Sequence, residues 1–277
     1  MENIVLNNVT YEFVTTDENE KENRWVALKN INLQINEGEF LCVIGKNGSG
    51  KSTLGKLING LFLPTIGDVT IYGMNTKIED NILDIRKNVG MVFQNPDNQI
   101  VASIVEEDVA FGLENLGIAT DEMKKRVDKV LTDLNLEKYR HYSPNKLSGG
   151  QKQKLALAGI LAMKPKVIVF DEPTAMLDPI GRKELIDTIV KLNKEEKITI
   201  ILITHFMEEI VDSDRVIVMN QGEIVGEYTP KVVFNEVDIS KYGIIPPKII
   251  TIKNELVKNG MKIKNDIMNV ENLVDEL

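Results

Sequence analysis

Gly45-Lys46-Asn47-Gly48-Ser49-Gly50-Lys51-Ser52 has the spacing GxxxxGK[ST], and the rest of the chain is read outward from it. Glycines in such a loop let the backbone turn so that successive N–H groups face phosphate oxygens. A helix opening near Lys51 would add the positive end of its dipole. Lys51 itself would bring a mobile cation to the β- and γ-phosphates, and the Ser52 hydroxyl can ligate Mg²⁺. The plain alternative is a glycine-rich turn without a ligand, and the pattern alone arises by chance in roughly 1% of chains this long. The flanks argue against chance. Phe40-Leu41-Cys42-Val43-Ile44 is a continuous apolar run of the kind a fully buried strand shows, and Thr53-Leu54-Gly55-Lys56-Leu57-Ile58 can continue as helix.

Further out, Val9–Phe13 and Ile31–Ile35 alternate like half-buried strands, with Thr15–Asn23 between them as an exposed loop. Val69–Tyr72 and Val89–Phe93 are further strand candidates. From about Ile104 to Ala162 the pattern turns helical. Thr120 is the expected cap of a helix carrying Asp121 and Glu122 in its first turn, with Met123, Val127, Val130, Leu131 and Leu134 at helical spacing. Val167–Phe170 and Ile198–Ile203 read as buried strands. Asp178-Pro179 reads as a helix start, and Asn220-Gln221-Gly222 as a hairpin turn between Arg215–Met219 and Glu223–Val225. This alternation implies an α/β fold with a mostly parallel, doubly wound sheet interrupted by an inserted helical subdomain. Composition shifts near Thr229-Pro230. Beyond it, Ile249–Val257 and Ile263–Leu277 form two amphipathic segments of a C-terminal appendage of roughly 45 residues.

The formal charge of −9 speaks against a general nucleic-acid or anionic-lipid surface role. Hydrophobic residues at 43% and charged residues at 27% suit a globular chain with a sizeable core. The single cysteine, Cys42, cannot form an internal disulfide, and a reducing compartment is the simpler reading. Met1-Glu2-Asn3 lacks the basic and apolar regions of a signal peptide, and no apolar run reaches the roughly 20 residues that cross a bilayer. A membrane role is therefore expected to come through a partner.

Three further stretches carry chemistry. Val167-Ile168-Val169-Phe170-Asp171-Glu172 is a strand ending in two acids, where beside a phosphate loop a Mg²⁺-directed carboxylate and a water-activating one can sit; two solvated acids are the plain alternative. Leu147-Ser148-Gly149-Gly150-Gln151 offers a hydroxyl and free N–H groups at a helix start, a second phosphate site or simply a glycine-rich helix start. Thr204-His205 follows a strand.

Together these motifs resemble those of ATP-binding cassette (ABC) ATPases, over Met1 to about Phe234. The resemblance implies a P-loop ABC nucleotide-binding domain at 1–234, with an antiparallel β-subdomain and a helical subdomain at about 95–163, followed by a dimerisation appendage at 235–277. It implies that Gly45 to Thr53 cradle ATP, with Ser52, Asp171 and Gln94 directed at Mg²⁺. It assigns Glu172 to the attacking water, His205 to the switch position and Gln94 to the Q-loop. Ser148, Gly150 and Gln151 belong to the signature that meets the γ-phosphate held by another subunit, and Thr174–Asp178 to the D-loop. Phe13 aligns with the aromatic that stacks on adenine, where the family usually has Tyr; Tyr11 and Trp25 compete for that role.

A narrower resemblance rests on Met91-Val92-Phe93-Gln94-Asn95-Pro96-Asp97-Asn98-Gln99 and on Glu107-Asp108-Val109-Ala110-Phe111-Gly112-Leu113-Glu114-Asn115. Both are similar to the ATPase subunits of energy-coupling factor transporters, bacterial importers of vitamins and some transition-metal ions, and to the first of their two paired types. That implies a second ATPase subunit, a transmembrane coupling subunit, a substrate-binding membrane subunit, and a peripheral place on the cytoplasmic face of the cell membrane, with no nucleic-acid partner. Lys154 departs from the Arg common in the signature helix, and Pro173-Thr174-Ala175 from the commonest D-loop approach of that subunit type. A soluble cassette ATPase of DNA repair or translation is the competing reading. Against it, about 95 residues without sustained heptads separate loop and signature, and there is one cassette, not two. A catalytically dead assembly module is countered by the presence of both Glu172 and His205.

Overall fold

The computed structural model describes residues 2–16, 22–263, 268 and 270–276. The chain lays down β1 (Glu2–Thr16), β2 (Glu22–Asn36), β3 (Phe40–Gly45), α1 (Lys51–Ile58), β4 (Ile66–Ile71), β5 (Met74–Asn75), α2 (Glu79–Asn88) and β6 (Val89–Val92). There follow α3 (Val105–Asn115), α4 (Thr120–Asp133), α5 (Gly149–Ala162), β7 (Val167–Asp171), α6 (Pro179–Lys194), β8 (Thr199–Ile203), β9 (Arg215–Asn220) and β10 (Glu223–Tyr228). The last elements are α7 (Pro230–Asn235), α8 (Lys248–Lys258) and α9 (Val270–Glu276).

Two sheets result. One has the order β2-β1-β4-β5 and is antiparallel; the other has the order β10-β9-β3-β8-β7-β6. In the second, β3 pairs in parallel with both β8 and β9, and β7 with both β6 and β8; only the hairpin strand β10 is antiparallel. The hairpin turns on Gln221 and Gly222, both with positive φ (49° and 83°). All six residues of β3 are buried, because the sheet is covered on both faces. Side chains alternate across a strand. Phe40, Cys42 and Ile44 therefore join one core with α3, α4, α5 and α6, while Leu41 and Val43 join the other with α1 and the antiparallel sheet. Each such side chain stabilises the fold by about 1.5–3 kcal/mol relative to exposure.

Parallel pairing also aligns strand ends. Val43 lies opposite Ile203, and Asp171 opposite Ile203 from the other side. The carboxyl ends of β3, β7 and β8 thus share one edge of the sheet, the edge at which open α/β sheets place ligands.

Local expectations are corrected at two points. The two strands of the first hairpin run further than the sequence alternation shows: β1 continues to Thr16 and β2 starts at Glu22, with Thr15 opposite Asn23, because the backbone ladder persists where both side-chain faces are wet. Only residues 17–21 of the expected loop lie outside the described residues. Thr120 is the first residue of its helix, not the cap. Ala119 is the cap, and its carbonyl accepts from Met123 N–H at 2.9 Å. The segment after Phe234 packs on the cassette. Ile239, Ile244 and Ile250 belong to the same core as Phe234, and Lys253 of α8 is buried with its Nζ on Asn235 Oδ1 of α7. Residues 264–267, 269 and 277 of the expected final segment lie outside the described residues. Among the described residues no helix is long and apolar enough to cross a membrane.

Candidate active site at the carboxyl edge of the sheet

The loop from Gly45 to Gly50 joins the end of β3 to α1, and its glycines are sterically demanded. A Cβ on Gly45 would stand 2.3 Å from the Met219 carbonyl oxygen. At Gly50 (φ 102°) it would stand 2.8 Å from the Ala27 carbonyl oxygen. Gly50 caps α1 without a side chain, so the first N–H groups of the helix stay open to a ligand. Ser49 Oγ is buried with no hydrogen-bond partner among the described residues, an orphan that a phosphate oxygen would satisfy. The loop therefore fits a polyphosphate.

Lys51 is 4% exposed. Its Nζ donates to the carbonyls of Gly45 (2.9 Å) and Lys46 (3.2 Å) and lies 3.9 Å from Glu172 Oε1. Burial lowers its pKa, and the charges of Glu172 and Asp171 pull the other way. Ser52 Oγ donates to Asp171 Oδ1 at 2.7 Å. The Asp171 pKa is raised, chiefly by burial, with the Ser52 hydrogen bond opposing. Among the described residues no group of three or more His, Cys, Asp or Glu could hold a metal by itself. Ser52 with Asp171 is a hydroxyl–carboxylate pair of the hard-oxygen chemistry Mg²⁺ takes, which ordinarily keeps waters and substrate phosphates as its other ligands. The residues fit that ion.

Glu172 is the convergence point. Gln94 Nε2 donates to its Oε2 at 3.4 Å, and His205 Nδ1 lies 3.3 Å from the same oxygen. Glu172 adopts the left-handed region (φ 50°), unusual for a glutamate, with its N–H on the Ile203 carbonyl at 2.9 Å. The fold brings together Lys51, Ser52, Gln94, Asp171, Glu172 and His205 from four separate stretches of sequence.

The aromatic expectation is redistributed. Trp25 lines the groove with Asn47, Gly48, Gly50–Thr53, Gln94 and Glu172, and Phe13 does not. Phe13 stacks against Trp25 at 5.6 Å between centroids and meets Tyr11 and Phe62 edge-on, while Tyr11 stacks on Phe62. Cross-strand pairing of Phe13 with Trp25 in the β1–β2 hairpin produces this, and neither residue's sequence neighbourhood reveals it.

Ser148 caps α5 through a capping box: its Oγ accepts from Gln151 N–H (3.4 Å), and Gln151 Oε1 accepts from Ser148 N–H (2.9 Å). Ser148, Gly149, Gly150 and Gln151 line a second groove with Met176, Leu177 and Asp178, which shares no residue with the P-loop groove. In one chain the two phosphate-type sites are thus apart. Sequence reasoning missed what ties α5 to the Gln94 loop. Gln153 Nε2 donates to the Phe93 carbonyl (3.1 Å), Lys152 pairs with Asp97 (2.7 Å), and Gln99 Nε2 reaches the Ala156 carbonyl (3.4 Å). Helical spacing along α5 is the one signal that points to these contacts. Lys154, the departure from Arg, pairs with Glu184 at 2.8 Å.

The profile of the ABC transporter family matches residues 28–175. The energy-coupling factor transporter ATP-binding protein EcfA1 of Clostridium novyi is 55% identical, over 98% of this chain and 95% of its own length. That of Caldanaerobacter subterraneus is 57% identical over 90% of each. Among solved structures, cbiO1 from Clostridium perfringens, described as part of the ABC transporter complex cbiONQ, superposes with a TM-score of 0.76 at 35% identity. That match covers 92% of this chain and 100% of cbiO1. The dimeric, post-hydrolysis ATP-binding cassette MJ0796 with ADP and phosphate gives 0.73 at 34% identity, over 82% and 98%. With the P-loop, the paired acids and the histidine on one sheet edge, this chain belongs to the ABC transporter family, and within it to the ATPases of energy-coupling factor transporters.

Proposed function

We propose that the chain hydrolyses Mg²⁺-ATP as one half of a head-to-tail pair of cassettes and passes the resulting motion to membrane subunits that import a vitamin or similar micronutrient. The observation that carries this is Glu172, held among Lys51, Gln94 and His205 beside the phosphate loop. ATP supplies the γ-phosphoryl group and Mg²⁺ neutralises charge on it. The chain's own part is positional and electrostatic. N–H groups of Gly45 to Thr53 bind the phosphates, Lys51 leaves its two carbonyls to meet them, and Ser52, Asp171 and Gln94 face the ion. Glu172 orients and deprotonates the water, and His205 holds Glu172 in place. Ser148, Gly150 and Gln151 serve the partner's nucleotide, in keeping with two grooves that share no residue.

Trp25 is the adenine platform in this reading, with Phe13 its support. Base–aromatic stacking is worth about 1–3 kcal/mol. Trp25→Ala is expected to weaken ATP binding by about tenfold in a nucleotide titration of the full chain, and Phe13→Ala by less. Equal affinity for Trp25→Ala and wild type would return the role to Phe13 or Tyr11.

Residues 235–277 act as a pairing appendage. Ile252 and Val257 of α8 are exposed, as are Val270 and Val274 of α9. Deleting 259–277, which spares the buried Ile250 and Lys253, is expected to weaken ATP-dependent dimerisation in sedimentation while ATP affinity holds. Unchanged dimerisation removes the role from residues 259–277.

The membrane partner is expected at the loop after Gln94. Of the apolar residues near it, Val105 is core and Ile100 and Ile104 are half-buried, while Val101 (61%) and Phe111 (46%) are exposed. An amphipathic helix from a membrane subunit suits such a surface. Val101→Glu is expected to abolish substrate uptake in the assembled transporter with folding and ATP binding intact. Cross-links from cysteines at Asp97 and Val101 should capture a membrane protein. Cross-links to cytosolic proteins alone would favour a soluble ATPase.

A further inference from the structure

Glu209, in the single turn Met207–Ile210 after β8, is 3% exposed. Burying a carboxylate is costly unless donors surround it. Each of its oxygens takes one hydroxyl: Oε1 accepts from Thr174 Oγ1 and Oε2 from Thr204 Oγ1, both at 2.6 Å. Thr204 Oγ1 itself accepts the Phe206 N–H at 3.0 Å, so its own proton is the one given to Glu209. Arg182 Nε stands 3.9 Å from Oε1, with its guanidinium carbon 3.4 Å over the Phe206 ring. Burial pushes the Glu209 pKa up, and the two hydroxyls and Arg182 oppose it.

The two threonines are not arbitrary partners. Thr174 comes two residues after Glu172, and Thr204 immediately precedes His205. Glu172 sits at φ 50°, a conformation that persists only where the surroundings hold it. Its carbonyl accepts from Ala175 N–H at 3.2 Å, next to Thr174, and its N–H reaches Ile203, next to Thr204.

We propose that Glu209 is a positioning residue for hydrolysis: its carboxylate clasps Thr174 to Thr204 and so sets the separation of Glu172 and His205. The inference rests on the assignment of Glu172 to the attacking water. Among the described residues Glu209 is not one that lines the nucleotide groove, and its hydrogen bonds go to Thr174 and Thr204, so losing the clasp acts on turnover rather than on ATP binding.

The test compares Glu209→Ala, Glu209→Gln and wild type: kcat in the native complex, ATP Kd on the full chain. Glu209→Ala is expected to lower kcat by at least about 30-fold with Kd within about twofold. Glu209→Gln, which can accept from Thr204 and donate to Thr174, should stay within about fivefold of wild-type kcat. In single turnovers on a Glu172→Gln background, Glu209→Ala should add no more than about threefold, because groups acting as one unit are not additive. Loss of affinity in step with loss of turnover, or full multiplication of the two effects, overturns the clasp. If Glu209→Ala does not fold, Thr174→Val and Thr204→Val take its place. Each should lower kcat at constant Kd, and the double variant no further than the worse single one; wild-type kcat in both overturns the clasp. Unimpaired turnover in Glu172→Gln alone would instead overturn the assignment of Glu172, a separate result.

Discussion

Glu172→Gln slows ATP turnover by about 10²–10⁴-fold, the usual worth of a general base, and leaves ATP bound. The amide keeps the shape of the side chain and can still meet Gln94 and His205, which lie 3.4 and 3.3 Å from Oε2. What it loses is the basicity needed to take the proton of water. Lys51, 3.9 Å from Oε1, loses one nearby negative charge, which favours rather than weakens its hold on phosphates. The variant therefore accumulates as an ATP-bound dimer. The measurement is steady-state phosphate release in a complex whose partner cassette carries the same change, alongside sedimentation with ATP. Turnover within about threefold of wild type would mean that another group activates the water.

Ser148→Arg removes hydrolysis at the nucleotide held by the partner's phosphate loop, by at least about 10²-fold, as the loss of positioned donors to transferring phosphate does. The isolated subunit keeps its ATP affinity. The reason is spatial: Ser148 lines a groove with Met176 to Asp178 that has no residue in common with the groove of Lys51 and Ser52. The substitution also breaks the capping box of α5, which costs about 1 kcal/mol and leaves the fold standing. Nucleotide titration of the isolated variant and turnover in the assembled pair separate the two effects. A variant that loses ATP affinity as severely as Lys51→Ala would mean that Ser148 acts within its own chain, and the shared site would fail.

The phosphate loop, the buried strand before it and the helix after it were legible because each is a contiguous signal. Eight residues suffice for the loop, and an apolar run with no alternation announces a strand covered on both faces. The acids at the end of β7, the Asp178-Pro179 start of α6 and the Gln221-Gly222 hairpin were local in the same way. Hairpin length was not, because a backbone ladder can continue to Thr16 and Glu22 through polar residues that carry no hydrophobic period. Nor was the rooting of the appendage, where Ile250 joins the cassette core and Lys253 is buried against Asn235 of α7.

The sequence by itself determined which chemistry this chain can perform, since phosphate binding is written in short runs whose conformation depends on their own glycines, acids and caps. Only the tertiary structure decided which side chains share a site. Parallel pairing puts the ends of β3, β7 and β8 on one edge and brings Glu172 to Gln94 and His205, 78 positions away in one case. The β1–β2 register sets Trp25, not Phe13, at the groove, and a buried carboxylate at Glu209 joins Thr174 to Thr204. The physical reason is the same throughout. Hydrogen bonds and packing between distant segments depend on strand register and burial, and these are fixed only when both sheets close on their cores.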